Sequence, residues 1–184
     1  MNICLIGHNL TNFIIALELS KKGFIVDIIY EFIEKKEKTN RTIGISKNNF
    51  EFLASNFNQI YKYSWPITKI KIFNHKNNSN ESIVFGNEDR KNFFLIKYSN
   101  LFNFLEKKCK QSVKIYFKLV NSTTIKKLEI ENKYDLIINS DNKNILTKKF
   151  FNKKIKKNYN SSAFTGILSH HKIKNNTAIQ IFTK

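Results

Sequence analysis

Glycine, proline, tryptophan and methionine are scarce: among 184 residues there are 5 Gly, 1 Pro, 1 Trp and 1 Met. So little Gly and Pro leaves no flexible linker, and no internal repeat is visible. The only cysteines, Cys4 and Cys109, stand far apart with no C-x-x-C pair. That excludes a disulfide framework and a paired redox motif, and it suits buried free thiols in a reducing cytosol. No run reaches the ~18 apolar residues of a membrane-spanning helix. The first apolar run breaks at Gly7, His8 and Asn9 with no basic stretch before it, so no signal peptide is expected. His8, His75, His170 and His171 make no metal-ligand spacing, because adjacent histidines on a strand point to opposite faces. No Ser/His/Asp or Cys/His arrangement is visible, so no catalytic side chain is assigned.

Acidic residues are also few. Against 14 Asp and Glu stand 32 Lys and Arg, a net charge of +18 and a pI of about 9.8. Such a charge raises nucleic acid or an anionic membrane as partners. The lysines are scattered, however, and Lys, Asn, Ile and Phe all have A/T-rich codons, so genomic drift accounts for the excess without a partner. The densest run, KKFFNKKIKK at 148–157, reads as a solvated helix and loop. Nucleic acid is therefore not the expected partner.

What is present is a substantial core, with 41% hydrophobic residues and 17 Phe, enough for one domain or one domain and part of another. The opening NICLIGHNLTNFIIALELSKKGFIVDIIYE predicts strand, turn, helix and strand. Both strands are apolar almost throughout, as in a parallel sheet covered on both faces. Gly7 to Asn12 form the turn, and Gly23 sits where a helix end wants positive φ. Arg41 then leads into TIGIS. Ser46 caps a helix whose Phe50, Leu53, Ala54 and Phe57 fall on one face. ITKIKIF (67–73) predicts a half-exposed antiparallel strand, and SIVF (82–85) and FFLI (93–96) two more. A helix follows from Ser99, with Leu101, Phe102, Leu105 and Cys109 on one side. Then come a strand over 113–119, a short meander over 122–131, and a buried strand in YDLIINS. Further strands are expected over 159–168 and 177–182. The fold expected is α/β: a Rossmann-like layer with a parallel sheet, plus an inserted, incomplete antiparallel sheet.

The strand–turn–helix is where dinucleotide chemistry would reside. The full fingerprint is G-x-G-x-x-G, and here it is Gly7-x-Asn9-x-x-Asn12. The first glycine permits the bend, the second lets backbone N–H groups approach a pyrophosphate, and the third lets helix and strand pack closely. Gly7 keeps the bend, Asn9 crowds the phosphate, and Asn12 puts bulk between helix and strand. Glu31 ends the second strand, where an acid hydrogen-bonds ribose hydroxyls. Asp141 ends a later strand, the position at which open α/β sheets place ligands, although an Asp there also caps turns. Arg41 after its loop is on its own a surface residue.

Taken in order, these segments resemble the UbiH-type flavin-dependent hydroxylases of ubiquinone biosynthesis, which share the p-hydroxybenzoate hydroxylase fold. The opening to Glu31 resembles their FAD-binding start. RTIGIS (41–46) is similar to their R-x-x-A-L-S, whose arginine lies at the flavin. WPITKIKIF resembles P-I-x-x-I-x-V, and FFLIKYSNLFNFLEKKC resembles L-G-Y-V-V-E-H-S-x-L-x-x-x-L. YDLIINSDNKNILTK resembles A-D-L-V-V-G-A-D-G-A-N-S-x-V-R. Asp141 and Asn144 match it, Asn142 stands for the glycine and Lys148 for the arginine. The stretch from Asn158 to Lys184 resembles the W-x-Y-x-Q-x-A-x-V strand and the A-x-x-x-F-T after it. The resemblance covers the whole chain, but only the amino-terminal half of the family. The family's later G-D-A-A-H segment has no counterpart in these 184 residues.

The resemblance implies an FAD-binding layer over 1–64 and inserted substrate-side strands over 65–97. It implies a return to the FAD layer over 98–158 and further substrate-side strands over 159–184. It implies FAD held near Gly7, Asn9, Asn12, Glu31, Arg41 and Asp141, with NAD(P)H as a candidate electron donor and a polyprenylated phenol as substrate. A second polypeptide or a ubiquinone-biosynthesis complex would complete the fold. The expected location is cytoplasmic, with peripheral contact at the inner membrane. Two alternatives stay open. One is a non-catalytic relative that binds a lipid or a partner, which the lost glycines favour. The other is nucleic-acid binding, which rests on charge alone.

Overall fold

The computed structural model describes residues 1–31, 41–74, 81–86, 91–120, 130–141, 144–150, 157–160, 162, 171 and 176–182. The chain divides into two compact units. The first is Met1–Lys38 with Phe102–Ala163, and the second is Thr39–Leu101 with Phe164–Lys184.

The first unit is a parallel sheet wrapped by helices. Its strands are β1 (Asn2–Ile6), β2 (Ile25–Glu31), β8 (Ile115–Val120) and β9 (Leu136–Asn139), in the order β8-β2-β1-β9. Every pairing is parallel, with Cys4 opposite both Asp27 and Ile137. The pleat sends alternate residues to opposite faces. On one face Cys4, Ile6 and Ile29 bury with Ile130, and Val120, Tyr134, Ile137 and Leu146 pack on them. Ile130 comes from a short helix, α4 (Ile130–Lys133), and Leu146 from another, α5 (Ile145–Phe150). On the other face lies α1 (Leu10–Lys21), whose Phe13, Ala16 and Leu17 are buried at the i, i+3, i+4 spacing of one helical stripe. Phe13 meets Phe117 of β8 with ring centroids 6.1 Å apart. It also meets Phe102 of α3 (Tyr98–Lys110) at 5.0 Å. Burying a Phe such as Phe13 contributes roughly 1.5–3 kcal/mol.

α1 begins earlier than the sequence suggested, at Leu10 rather than Phe13, because the Asn9 side chain caps it. It leaves through Gly23 at φ +94°, the left-handed conformation expected of that glycine. β9 is half-exposed rather than buried. It pairs only with β1 among the described residues, so the polar end of YDLIINS is accessible.

Among the described residues the second unit has two three-stranded sheets. β3 (Thr42–Ser46), β7 (Phe93–Lys97) and β4 (Ser64–Ile67) form an antiparallel sheet in the order β3-β7-β4. α2 (Lys47–Asn56) covers it, with the Phe50 ring stacked 3.7 Å from Phe94 and Tyr61 edge-on to Phe50 at 5.1 Å. Ser46 stands at the helix start as expected, yet its side chain makes no cap hydrogen bond. The stretch ITKIKIF is not one strand: it breaks at Thr68 between β4 and β5 (Lys69–Asn74). β5 pairs antiparallel with β6 (Glu81–Phe85) and parallel with β10 (Thr177–Phe182). Ile83, Val84, Phe85, Ile179, Ile181 and Phe182 of this second sheet are exposed. The meander expected over 122–131 lies outside the described residues, save for the start of α4. The strand expected over 159–168 does too, save for Tyr159, Asn160 and Ser162, which are not in a strand.

Candidate functional site

The site forms where β1 and β9 end side by side. Gly7 leaves β1 at φ +118°, and its N–H donates to the Ile29 carbonyl at 2.8 Å. A Cβ on Gly7 would stand 2.9 Å from Asn9 Nδ2, 3.1 Å from Asp141 Cβ and 3.2 Å from Ser140 Oγ. Glycine is thus required twice, by backbone conformation and by close approach of the β9 loop.

Asn9 is the cap of α1, with an extended backbone at φ −151°. Its Oδ1 accepts the Asn12 N–H at 3.1 Å. Its Nδ2 donates to Ser140 Oγ at 2.7 Å, and Ser140 Oγ donates in turn to the Ile6 carbonyl at 3.3 Å. One carboxamide therefore ties the helix start to the end of the neighbouring strand. Asn12 is fully buried. Its Nδ2 donates to the Gly7 carbonyl at 2.7 Å, while its Oδ1 has no partner. The bulk expected between helix and strand is therefore accommodated at the expense of one unpaired acceptor, a burden of about 1–3 kcal/mol.

Asp141 lies in a polar turn built on the Asn139 and Asn144 carboxamides. Asp141 N–H donates to Asn139 Oδ1 at 3.0 Å. Its carbonyl accepts from Asn144 Nδ2 at 2.9 Å and from Thr147 Oγ1 at 2.8 Å. Asn144 is buried and reaches back to Asn139 Oδ1 at 2.8 Å.

The structure thus brings together Gly7, Asn9, Asn12 and Asp141. Glu31 closes the adjacent β2, opposite Val120. Tyr30 before it stacks on His8 at 4.5 Å, so His8 of the turn packs against the end of β2. His8 also meets Glu106 Oε1 at 3.0 Å. Arg41 belongs to the second unit, where its guanidinium lies 4.4 Å over the Tyr98 ring.

Sequence reasoning missed Ser140 and the Asp27 cluster. Asp27 is 7% exposed in mid-sheet. Lys118 Nζ and the Tyr134 hydroxyl both donate to its Oδ2, the latter at 2.5 Å. A buried carboxylate needs such partners, and a lone acid within FIVDIIY was the available signal. Burial, then the hydrogen bond to Asp27, pushes the Tyr134 phenol well above its ordinary range. Burial, reinforced by Asp27 and partly offset by Lys118, pushes the Cys4 thiol up to about 12. Burial, then Glu106, does the same at Cys109, also to about 12. Neither thiol is a nucleophile near neutral pH. Asp27, Lys118 and Tyr134 border an open cavity of about 320 Å³ that Asn2 and Ile25 also line. It lies where β1 and β2 begin, opposite the sheet end at which α/β folds place ligands. Asp27, Lys118 and Tyr134 satisfy one another, which marks the cluster as structural. Among the described residues no His, Cys, Asp and Glu group could hold a metal, and no helix is long and apolar enough to cross a membrane.

An adenine dinucleotide fits this frame in part. The Gly7 bend, the start of α1 and an acid ending β2 are in place. The seat of the pyrophosphate, the first N–H groups of α1, is taken by the half-buried Asn9 side chain.

No protein-family model matches the chain, and no curated protein matches its sequence. Solved structures do share its fold. FqzB superposes with a TM-score of 0.53 at 17% identity, covering 65% of this chain and 28% of that one. The p-nitrophenol 4-monooxygenase PnpA of Pseudomonas putida DLL-E4 matches at TM-score 0.52 and 12% identity, covering 64% and 31%. PqsL of Pseudomonas aeruginosa, described as a probable FAD-dependent monooxygenase, matches at 0.51 and 10%, covering 65% and 32%. The match spans under a third of each neighbour's length. The chain has the mixed α/β fold of such flavoprotein monooxygenases, a parallel sheet with an antiparallel and a mixed sheet besides.

Proposed function

We propose that the chain is the cofactor-side portion of an FAD-dependent monooxygenase that hydroxylates an aromatic ring. A polyprenylated phenol of ubiquinone biosynthesis is the substrate this reading assigns. The observation that carries it is the junction of the Gly7 turn, the start of α1 and the Asp141 turn at the ends of two adjacent parallel strands. That is where open α/β sheets hold a dinucleotide. The shared fold of PnpA and PqsL supports the same chemistry.

In this reading Gly7 supplies the bend, the start of α1 faces the pyrophosphate, Glu31 holds the ribose, and Asp141 borders the flavin side. FAD, when bound, supplies the oxygen chemistry, and the protein positions the ring and excludes water. NAD(P)H is the assigned electron donor. A second polypeptide, or a ubiquinone-biosynthesis complex, is the assigned partner. The net charge of +18 suits peripheral contact with an anionic inner-membrane surface, where a polyprenyl tail resides.

The bond from Asn9 to Ser140 favours a second reading, a non-catalytic relative that binds a lipid or a partner without turnover. Titration of FAD fluorescence separates the two. The enzyme reading expects saturable quenching with a Kd below ~1 mM, and weaker binding leaves the non-catalytic reading.

A further inference from the structure

Asn9 does at the start of α1 what a phosphate does elsewhere. A helix N-terminus offers unpaired N–H donors and partial positive charge, and an anion or a capping oxygen can satisfy them. Here the Oδ1 of Asn9 accepts the Asn12 N–H at 3.1 Å. The other end of the same carboxamide donates to Ser140 Oγ at 2.7 Å, and Ser140 also donates to the Ile6 carbonyl. The side chain thus crosses from the turn after β1 to the loop after β9. Against Gly7 it sits so close that an added Cβ would come within 2.9 Å of Nδ2. A glycine at position 9 would leave that space empty.

We infer that Asn9 is an internal ligand of the phosphate seat: a pyrophosphate enters only when the Asn9 side chain swings out and gives up both its hydrogen bonds. The inference rests on the dinucleotide reading for its ligand, and the position of Asn9 sets the affinity. The bond to Ser140 is exposed, whereas the bond to the buried Asn12 is half-buried, so the Ser140 end is the one that opens to solvent. Displacement exchanges the Asn9 acceptor for a phosphate oxygen at the Asn12 N–H and frees the Ser140 Oγ lone pair that took the Asn9 Nδ2.

The test compares the full chain with Asn9→Gly and Ser140→Ala. Glycine is a tolerated cap, so Asn9→Gly keeps α1. Ser140→Ala cuts one end of the bridge and leaves the cap intact. Two probes are used: FAD by fluorescence quenching, and inorganic pyrophosphate by its shift of the Asn12 amide resonance. The expected result is that Asn9→Gly binds both probes at least about tenfold more tightly than the unaltered chain. Ser140→Ala should gain by a smaller factor. Equal affinity in the unaltered chain and Asn9→Gly overturns the inference. So does an Asn9→Gly protein that is folded by circular dichroism and binds neither probe. If Asn9→Gly gains pyrophosphate but no FAD, the plug is established and the FAD reading fails by itself.

Discussion

Two turns stand side by side at the same end of the parallel sheet, and their hydrogen-bond accounts differ. The turn after β9 is closed. The Asn139 and Asn144 carboxamides bond each other in both directions, at 3.3 and 2.8 Å. Asn144 Oδ1 also takes the Thr147 N–H at 3.0 Å, and Thr147 Oγ1 joins Asn139 to the Asp141 carbonyl. The turn after β1 has two asparagines as well, at the positions where the dinucleotide fingerprint has glycine. There Asn9 reaches outside its own turn, to Ser140, and Asn12 buries an acceptor that nothing satisfies. The β9 turn uses asparagine as a structural part. The β1 turn uses one asparagine to cap its helix and to reach the neighbouring loop, and buries the other with one acceptor unpaired. In the proposed reading, the β9 turn is built for its own stability, whereas the β1 turn keeps the shape of a ligand seat and fills it with a side chain.

The largest effect that would sharpen this contrast is expected at Gly7. Gly7→Ala places a side chain at φ +118° and within 3.2 Å of three neighbours from both turns. Backbone strain and crowding together should cost about 3 kcal/mol. Urea unfolding should show the midpoint falling with the slope unchanged. A loss below about 1 kcal/mol would mean that the turns are not pressed together as described.

Asn144→Ala comes next. It removes a buried carboxamide that makes five hydrogen bonds, stranding Asn139 and the start of α5. The expected loss is about 2–3 kcal/mol, read by the same denaturation. Were Asn144→Ala as harmless as a surface change, the β9 turn would not be the self-sufficient partner of the pair.

These expectations follow the line between what the sequence discloses and what it hides. Apolar runs such as NICLI and FIVDIIY, closed by Gly7 and Gly23, disclose the parallel frame because a strand covered on both faces has no other composition. The junction of Gly7 with Asp141 was legible for the same reason, since acids and glycines at strand ends collect at one end of a parallel sheet. Asn9 stands in the sequence where the fingerprint has a glycine, but its bond to Ser140 joins residues 131 apart, and no local pattern carries such a pairing. ITKIKIF carries its break at Thr68 only as a slip in the alternation, Ile67 and Ile70 standing three apart, and nothing local says that the partners change there from β7 to β6 and β10. Asp27 announced that a buried acid needs a partner, without saying that Lys118 and Tyr134 would supply it.

The smallest effect is the most diagnostic. Asn12→Ala deletes the 2.7 Å hydrogen bond to the Gly7 carbonyl, which leaves that carbonyl unpaired and costs about 1 kcal/mol. It also deletes the orphaned Oδ1 and replaces asparagine by the best helix former inside α1, gains of comparable size. The two sides should cancel, leaving stability within about 0.5 kcal/mol of the unaltered chain. That outcome would stand in direct contrast to Asn144→Ala, since both substitutions remove a buried asparagine beside the same site. If Asn12→Ala instead costs about as much as Asn144→Ala in the same urea series, Asn12 is as well satisfied as its counterpart. The β1 turn would then be as finished a structural element as the β9 turn, and the distinction between a filled seat and a built turn would fall.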